Sequence, residues 1–278
     1  MFTFHRAKST VIICLLLFPV WVLALTSGFN IKVESEWGNA DIRDVKAVVD
    51  SVTLAITPYV GNRTLDNIII RNDPKGPVSL YQRGNNNEYI VLLDVKGRYW
   101  SQLAYQFSHE TCHLLSNYDL VPNNVTRQQW FEESLCEAFS LFTLKKMAEQ
   151  WRNHPPYPGW KSYAPKLQRY VDNIMREEHR SLIQHPASWY QRHRDTLEAD
   201  PYADNRRLNE KLASHLLQLF EKNPESWAAI NYLNLGEENT PPDLNQYLSD
   251  WYKNTPAAYQ KVVAEIQQLL SKDETQAE

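Results

Sequence analysis

Residues 109 to 113 read His-Glu-Thr-Cys-His, inside the stretch FSHETCHLLSNYD. On a helix, positions four apart share one face about a turn apart, so His109 and His113 can aim two imidazoles at a single ion. Glu110 follows the first of them and can reach a water in an open coordination position. A catalytic zinc takes three protein ligands and a water. It lowers the pKa of that water, and a nearby carboxylate takes the proton. His-Glu-x-x-His on a helix is the sequence form of this arrangement. The pattern alone is weak, because three fixed positions recur by chance in roughly one or two chains of this size per hundred. Without a third ligand, His109, Glu110 and His113 are ordinary helix residues.

A third ligand has candidates downstream, in TRQQWFEESLCEAFSLF (126 to 142). Thr126 can cap a helix there, and Trp130, Leu135, Phe139 and Phe142 give that helix an apolar side. Glu133 and Glu137 are four apart, so both carboxylates point the same way. One can bind metal while the other accepts a hydrogen bond from a ligand histidine. Paired glutamates are more often a solvated face, but Trp130, Phe131, Leu135 and Cys136 leave little of this helix as plain surface.

At this point the chain resembles the gluzincins, zinc metallopeptidases with two histidines from His-Glu-x-x-His and a glutamate from a second helix. Trp130 and Glu133 match the W-x-x-E portion of the second segment, with nineteen residues between His113 and Glu133. Ser134 stands where that family often has glycine. The resemblance implies Zn2+ held by His109, His113 and Glu133, Glu110 as general base, and Glu137 behind a ligand histidine. Glu132 is the fallback third ligand. Asp119 lies six residues after His113, where metzincins place theirs. That group needs a glycine where this chain has Ser116, and a methionine turn for which no downstream Met is obviously placed. The resemblance covers residues 65 to 145 well and the remainder loosely.

Zincins usually add a tyrosine or histidine that stabilises the oxyanion. Tyr202 and His215 are the candidates, although each is more readily read as structural. His154, His179, His185 and His193 read as ordinary. Asn62 and Asn124 lie in Asn-x-Thr sequons, which matter only in a host that glycosylates exported proteins. Removing an N-terminal signal leaves Cys112 and Cys136; a disulfide between them and two buried thiols are both open readings.

The elements that must position these residues follow from periodicity. FNIKVE (29 to 34) reads as a strand, and DIRDVKAVVDSVTLAI (41 to 56) as an amphipathic helix. LDNIIIRN, VSLYQR and EYIVLLDV read as strands separated by DPKGP and GNNN. Gly97 breaks the chain before a helix over 98 to 116. Everything later reads as helical, at about 127–152, 161–180, 203–222, 225–234 and 243–271. The expected fold is α+β and zincin-like: a small N-terminal mixed sheet beside the active-site helix, then a mainly α-helical C-terminal half (about 150–278). The resemblance adds that an antiparallel edge strand, here VSLYQR (78 to 83), binds extended substrate by strand addition.

Composition bounds the function. The chain has 278 residues, 43% of them hydrophobic, enough for a substantial core. A net charge of -4, with no basic run, argues against nucleic acid as a partner. The apolar run Val11–Leu25 is 15 residues long, contains Pro19 and follows His5, Arg6 and Lys8. It is short for a membrane span and suits a signal peptide over residues 1–24, cleaved after Ala24. Residues 25–278 then form a single metallopeptidase domain, periplasmic or secreted. A retained segment would anchor it to a membrane.

These readings converge on an exported zinc metallopeptidase acting on peptide or protein substrates. The absence of a G-x-M-E-N signature leans it to endopeptidase. The alternative is a non-catalytic zincin-like protein for binding or envelope assembly, against which the intact Glu110 speaks. Nothing in the sequence bears on oligomeric state.

Overall fold

The computed structural model describes residues 28–34, 36–120, 128–200, 202–236 and 243–271. The signal segment 1–24, the Thr126 cap and the Asn124 sequon lie outside the described residues. The N-terminal half follows the expected order: β1 (Ile31–Val33), α1 (Ile42–Ile56), β2 (Ile68–Asn72), β3 (Val78–Leu80), β4 (Tyr89–Leu93) and α2 (Trp100–Leu115). Asp41 caps α1 by accepting from the Arg43 backbone N–H at 2.8 Å. The valines Val45, Val48, Val49 and Val52 then bury one side of α1, while Ile42 stays exposed. Gly97, at φ +61°, makes the turn into α2 in the left-handed region that glycine adopts without steric cost.

The sheet order is β1-β2-β4-β3. β1, β2 and β4 run parallel, and β3 lies antiparallel to β4 at the edge. β4 sits between two strands and is covered on both faces, so all five residues of YIVLL are buried. One face joins the main core through Ile68, Ile70, Val91 and Leu93. The other carries a small cluster of Ile69, Ile90 and Leu92 under Val78 and Leu80. Side chains alternate along a strand, so Ser79, between those two, points the opposite way, toward α2.

α3 (Gln129–Asn153) is the central helix, with most of its residues from Trp130 to Trp151 buried. Its interior polar residues answer their own backbone. The hydroxyls of Ser134, Ser140 and Thr143 donate to the carbonyls of Trp130, Cys136 and Phe139 at 2.7, 2.9 and 2.7 Å. This lets a helix carrying serines sit inside the core with those hydroxyls satisfied. A disulfide joins Cys112 of α2 to Cys136 of α3, with Cα atoms 5.2 Å apart.

The C-terminal half wraps α3 with α4 (Ala164–Met175), α5 (Pro186–Glu198), α6 (Arg206–Lys222), α7 (Leu244–Asn254) and α8 (Gln260–Leu270). Four expectations need correction. The expected helix 161–180 is α4 between two 3-10 turns, and 225–234 is a 3-10 helix, Pro224–Tyr232. The expected helix 243–271 is two, α7 and α8, separated around Pro256, which cannot continue a helix. α5 was not expected at all; Pro186 opens it, and its charged, periodicity-poor sequence hides it. One hydrophobic cluster nevertheless runs from Phe29 to Leu270, so the sheet and the helical half share a core. Among the described residues no helix is long and apolar enough to cross a membrane.

The disulfide closes a loop with a sequence separation of 24, which corresponds to about 3 kcal/mol of restricted unfolded-state entropy. Urea unfolding of Cys112→Ala/Cys136→Ala should show a loss of that order against the oxidised protein. An unchanged midpoint would mean that the bridge adds nothing to stability.

Candidate metal centre

α2 and α3 pack antiparallel, since Tyr105 meets Glu137 while His109 meets Glu133. The pairing brings three side chains to one point. His109 Nε2 lies 3.0 Å from Glu133 Oε2 and 3.2 Å from His113 Nε2. His113 Nε2 lies 3.3 Å from Glu133 Oε1. Together they could hold one metal ion.

The second nitrogen of His113 is committed elsewhere. Its Nδ1 lies 2.7 Å from Glu132 Oε1, a carboxylate only 3% exposed. Ser116 Oγ also donates to Glu132 Oε1 at 2.7 Å, and Asn234 Nδ2 donates to Oε2 at 2.7 Å. The Tyr247 hydroxyl donates in turn to Asn234 Oδ1 at 2.8 Å. With donors around it, Glu132 is an acceptor, so His113 Nδ1 carries the proton and Nε2 offers its lone pair to the ion position.

Glu110 is 3% exposed and accepts from Ser79 Oγ at 2.8 Å. Burial raises its carboxyl above the usual range, although His113, His109 and Ser79 pull the other way. Burial alone would lower the two histidines. The Glu133 carboxylate outweighs it at His109, and Glu133 with Glu132 does so more strongly at His113. Burial likewise pushes the Glu133 carboxyl up, but the two imidazoles hold it well below the ordinary range.

Comparison of the chain with protein-family models, with curated proteins and with solved structures found no match. The site therefore has to be judged on its own geometry.

That geometry moves several expected roles. Glu137 does not touch a ligand histidine. It accepts from the Tyr105 hydroxyl and faces Arg180 Nη1 at 2.8 Å. The antiparallel register explains this: four residues on from Glu133 along α3 lies level with four residues back from His109 along α2. The acid that orients a histidine is Glu132, expected only as a fallback ligand. Neighbouring helix positions differ by about 100°, so Glu132 and Glu133 address opposite nitrogens of the same imidazole. Asp119 instead faces Arg83 at 3.5 Å and belongs to no metal-holding group. His215 accepts from the Ile183 backbone N–H at 2.7 Å and is absent from the cleft lining. Its role in the structure is to fasten a loop. Tyr202 does line the cleft, at 75% exposure. The supporting roles of Ser79, Ser116, Asn234, Tyr247 and Arg180 were not read from the sequence. Only Ser79 carried a sequence signal, as a small polar residue inside an apolar edge strand.

The ion position opens into a cleft of about 370 Å³. β3 and Tyr81 form one wall, and Tyr202 to Glu210 form part of the other. Tyr118 packs on Tyr81 with ring centroids 5.2 Å apart and donates its hydroxyl to Leu80 O at 2.7 Å, fastening the edge strand.

The protonation pattern predicts how the chelated protein responds to pH. Raised histidines contribute stability below their ordinary value of 6.5 and lose it as pH rises through the raised folded value. The lowered Glu133 contributes above its ordinary 4.5 and loses that contribution as pH falls through its depressed folded value. Thermal unfolding in chelator should therefore show the highest Tm between 4.5 and 6.5, falling on the alkaline side. A Tm that climbs steadily above that window would contradict the pairing of Glu133 with the two imidazoles.

Proposed function

We propose that the protein is a zinc-dependent metallopeptidase of gluzincin type, exported, and acting on peptide bonds through a metal-activated water. The observation that carries the reading is the convergence of His109 Nε2, His113 Nε2 and the Glu133 carboxylate at 3.0, 3.2 and 3.3 Å. Ligands about 2.0–2.2 Å from a tetrahedral zinc lie about 3.3–3.5 Å from one another. Three donors already near that spacing, two imidazoles and one carboxylate, fit zinc with a fourth position open. The disulfide supports an oxidising compartment and hence export.

When bound, zinc supplies Lewis acidity that polarises a carbonyl and acidifies water. The chain's own residues do the rest. Glu110 takes a proton from the attacking water as its oxygen bonds to the scissile carbon. It then delivers that proton to the amine nitrogen as the C–N bond breaks. Ser79 keeps the carboxylate of Glu110 on that line. The buried position and raised carboxyl of Glu110 suit a group that must both accept and return a proton. Among the described residues β3 pairs with β4 on one side only, which leaves an edge on which an extended peptide can lie. That mode accepts chain interior as readily as chain end, which favours endopeptidase activity.

The test is zinc content beside hydrolysis, on purified protein. Wild type should hold one zinc per chain, and Glu133→Ala should lose it. Glu132→Ala should weaken zinc affinity about 10- to 100-fold. Glu110→Gln should keep the zinc and lose about 10²- to 10⁴-fold in peptide hydrolysis. A folded wild type that takes up no added zinc would sink the enzyme reading and leave a binding role for the cleft.

A further inference from the structure

Beyond the ion position the cleft continues to the start of α6, where Asp204, Asn209 and Glu210 wall it together with Glu137 of α3. Asn209 is 3% exposed. Its Nδ2 donates to Ala203 O at 2.9 Å, which fixes the amide orientation. Its Oδ1 is buried and has no hydrogen-bond partner among the described residues. A buried acceptor without a donor carries a desolvation cost, and such an atom beside a cleft calls for a group that supplies one.

The turn that presents it is built rather than loose. Ala203 is held at φ +52°, a conformation that persists only where the surroundings enforce it. The Asp200 carboxylate accepts from the backbone N–H groups of Tyr202 and Asn205 at 3.2 and 3.1 Å. Charge points the same way as the empty acceptor. Arg180 lies 2.8 Å from Glu137, 3.0 Å from Glu177 and 3.1 Å from Glu210, and His179 also contacts the last two. Arg206 lines the cleft as an exposed residue. Counting Asp204, four carboxylates stand against three fixed cations, Arg180, Arg206 and Lys211, whose Nζ lies 3.4 Å from His179 O, which leaves one carboxylate in excess with His179 neutral.

We propose that this end of the cleft is a subsite for a positively charged nitrogen of the substrate: its α-ammonium group, or a Lys or Arg side chain. Such a group brings donors to Asn209 Oδ1 and charge to the surplus carboxylate. An aliphatic side chain does neither, and an acidic one is repelled. The proposal rests on the peptidase reading and narrows its substrate class.

The experiment uses the zinc-loaded full chain and two readouts. Decapeptides varied at every position, free or acetylated at the N-terminus, are digested and the cleavage sites read by mass spectrometry. In parallel, the Asn209 side-chain amide is followed by ¹⁵N NMR during titration with n-butylammonium and, as the neutral control, n-butanol. Peptides carrying the cation should be cleaved about tenfold or more faster than matched neutral ones. That ratio should fall in Asp204→Asn and Glu210→Gln; should Glu210→Gln fail to fold, the exposed Asp204 carries the comparison. Sensitivity to acetylation assigns the α-ammonium, and sensitivity to Lys or Arg assigns the side chain. Cleavage without cation preference, or a preference unmoved by the variants, overturns the subsite and spares the peptidase. With no peptide cleaved, a shift by n-butylammonium alone keeps the subsite while the peptidase reading falls. No shift then overturns both.

Discussion

The register between α2 and α3 is the constraint on which the rest depends. His109, His113 and Glu133 reach one point only because residue 133 lies level with residue 109 across two antiparallel helices. A slip of one turn would bring Glu137 to His109 and leave Glu133 against His113 alone. Gathering five ionisable groups there, His113, Glu110 and Glu132 buried and His109 and Glu133 half-buried, is costly unless each has a partner. The structure answers each one: imidazoles for Glu133, Ser79 for Glu110, and three donors for Glu132. The disulfide sits one residue from His113 and three from Glu133, so it ties the two helices where a slip would do most damage.

The helical C-terminal half takes part in the same arrangement. Asn234 and Tyr247 lie more than a hundred residues beyond His113, yet they complete the hydrogen bonding of the carboxylate that orients it. Asn234 sits at φ +57°, a left-handed conformation that asparagine tolerates better than most residues, and this aims its amide at Glu132. Arg180, 4% exposed, performs a similar service for Glu137 and Glu210. The second half thereby bears on both the tautomer of His113 and the charge of the cleft.

What could be read from the sequence divides along the same line. The order of strands and helices ahead of His109 was legible because hydrophobic period and turn residues are local. The His109–His113 pair was legible because both members lie on one helix. The role of Glu137 was misread because i,i+4 spacing reports the face of its own helix and says nothing of what the opposite helix places there. Asking where Nδ1 of His113 must go would have pointed to an acid beside the ligand, namely Glu132. α5 was missed for a different reason: its apolar positions are sparse, and its helicity is settled by packing on α3 and α8. The break between α7 and α8 did carry a local signal, Pro256, which cannot continue a helix, and the apolar period running on either side of it masked that signal.

Ser79 shows how a small residue joins two functions that sequence treats apart. Its backbone belongs to β3, the edge strand along which the proposed substrate would lie, and its hydroxyl holds the carboxylate of Glu110. A peptide laid along β3 would be fixed relative to the base through one residue, without an intervening loop. Small errors in that distance matter, since effective molarity falls steeply once reacting atoms leave near-attack geometry. Tyr118 limits such error from the other side, because its bond to Leu80 O fastens the strand one residue further on. Direct contacts therefore tie the edge strand to Glu110. The α6 end of the cleft is carried by other elements, so the proposed cation subsite could vary without disturbing those contacts.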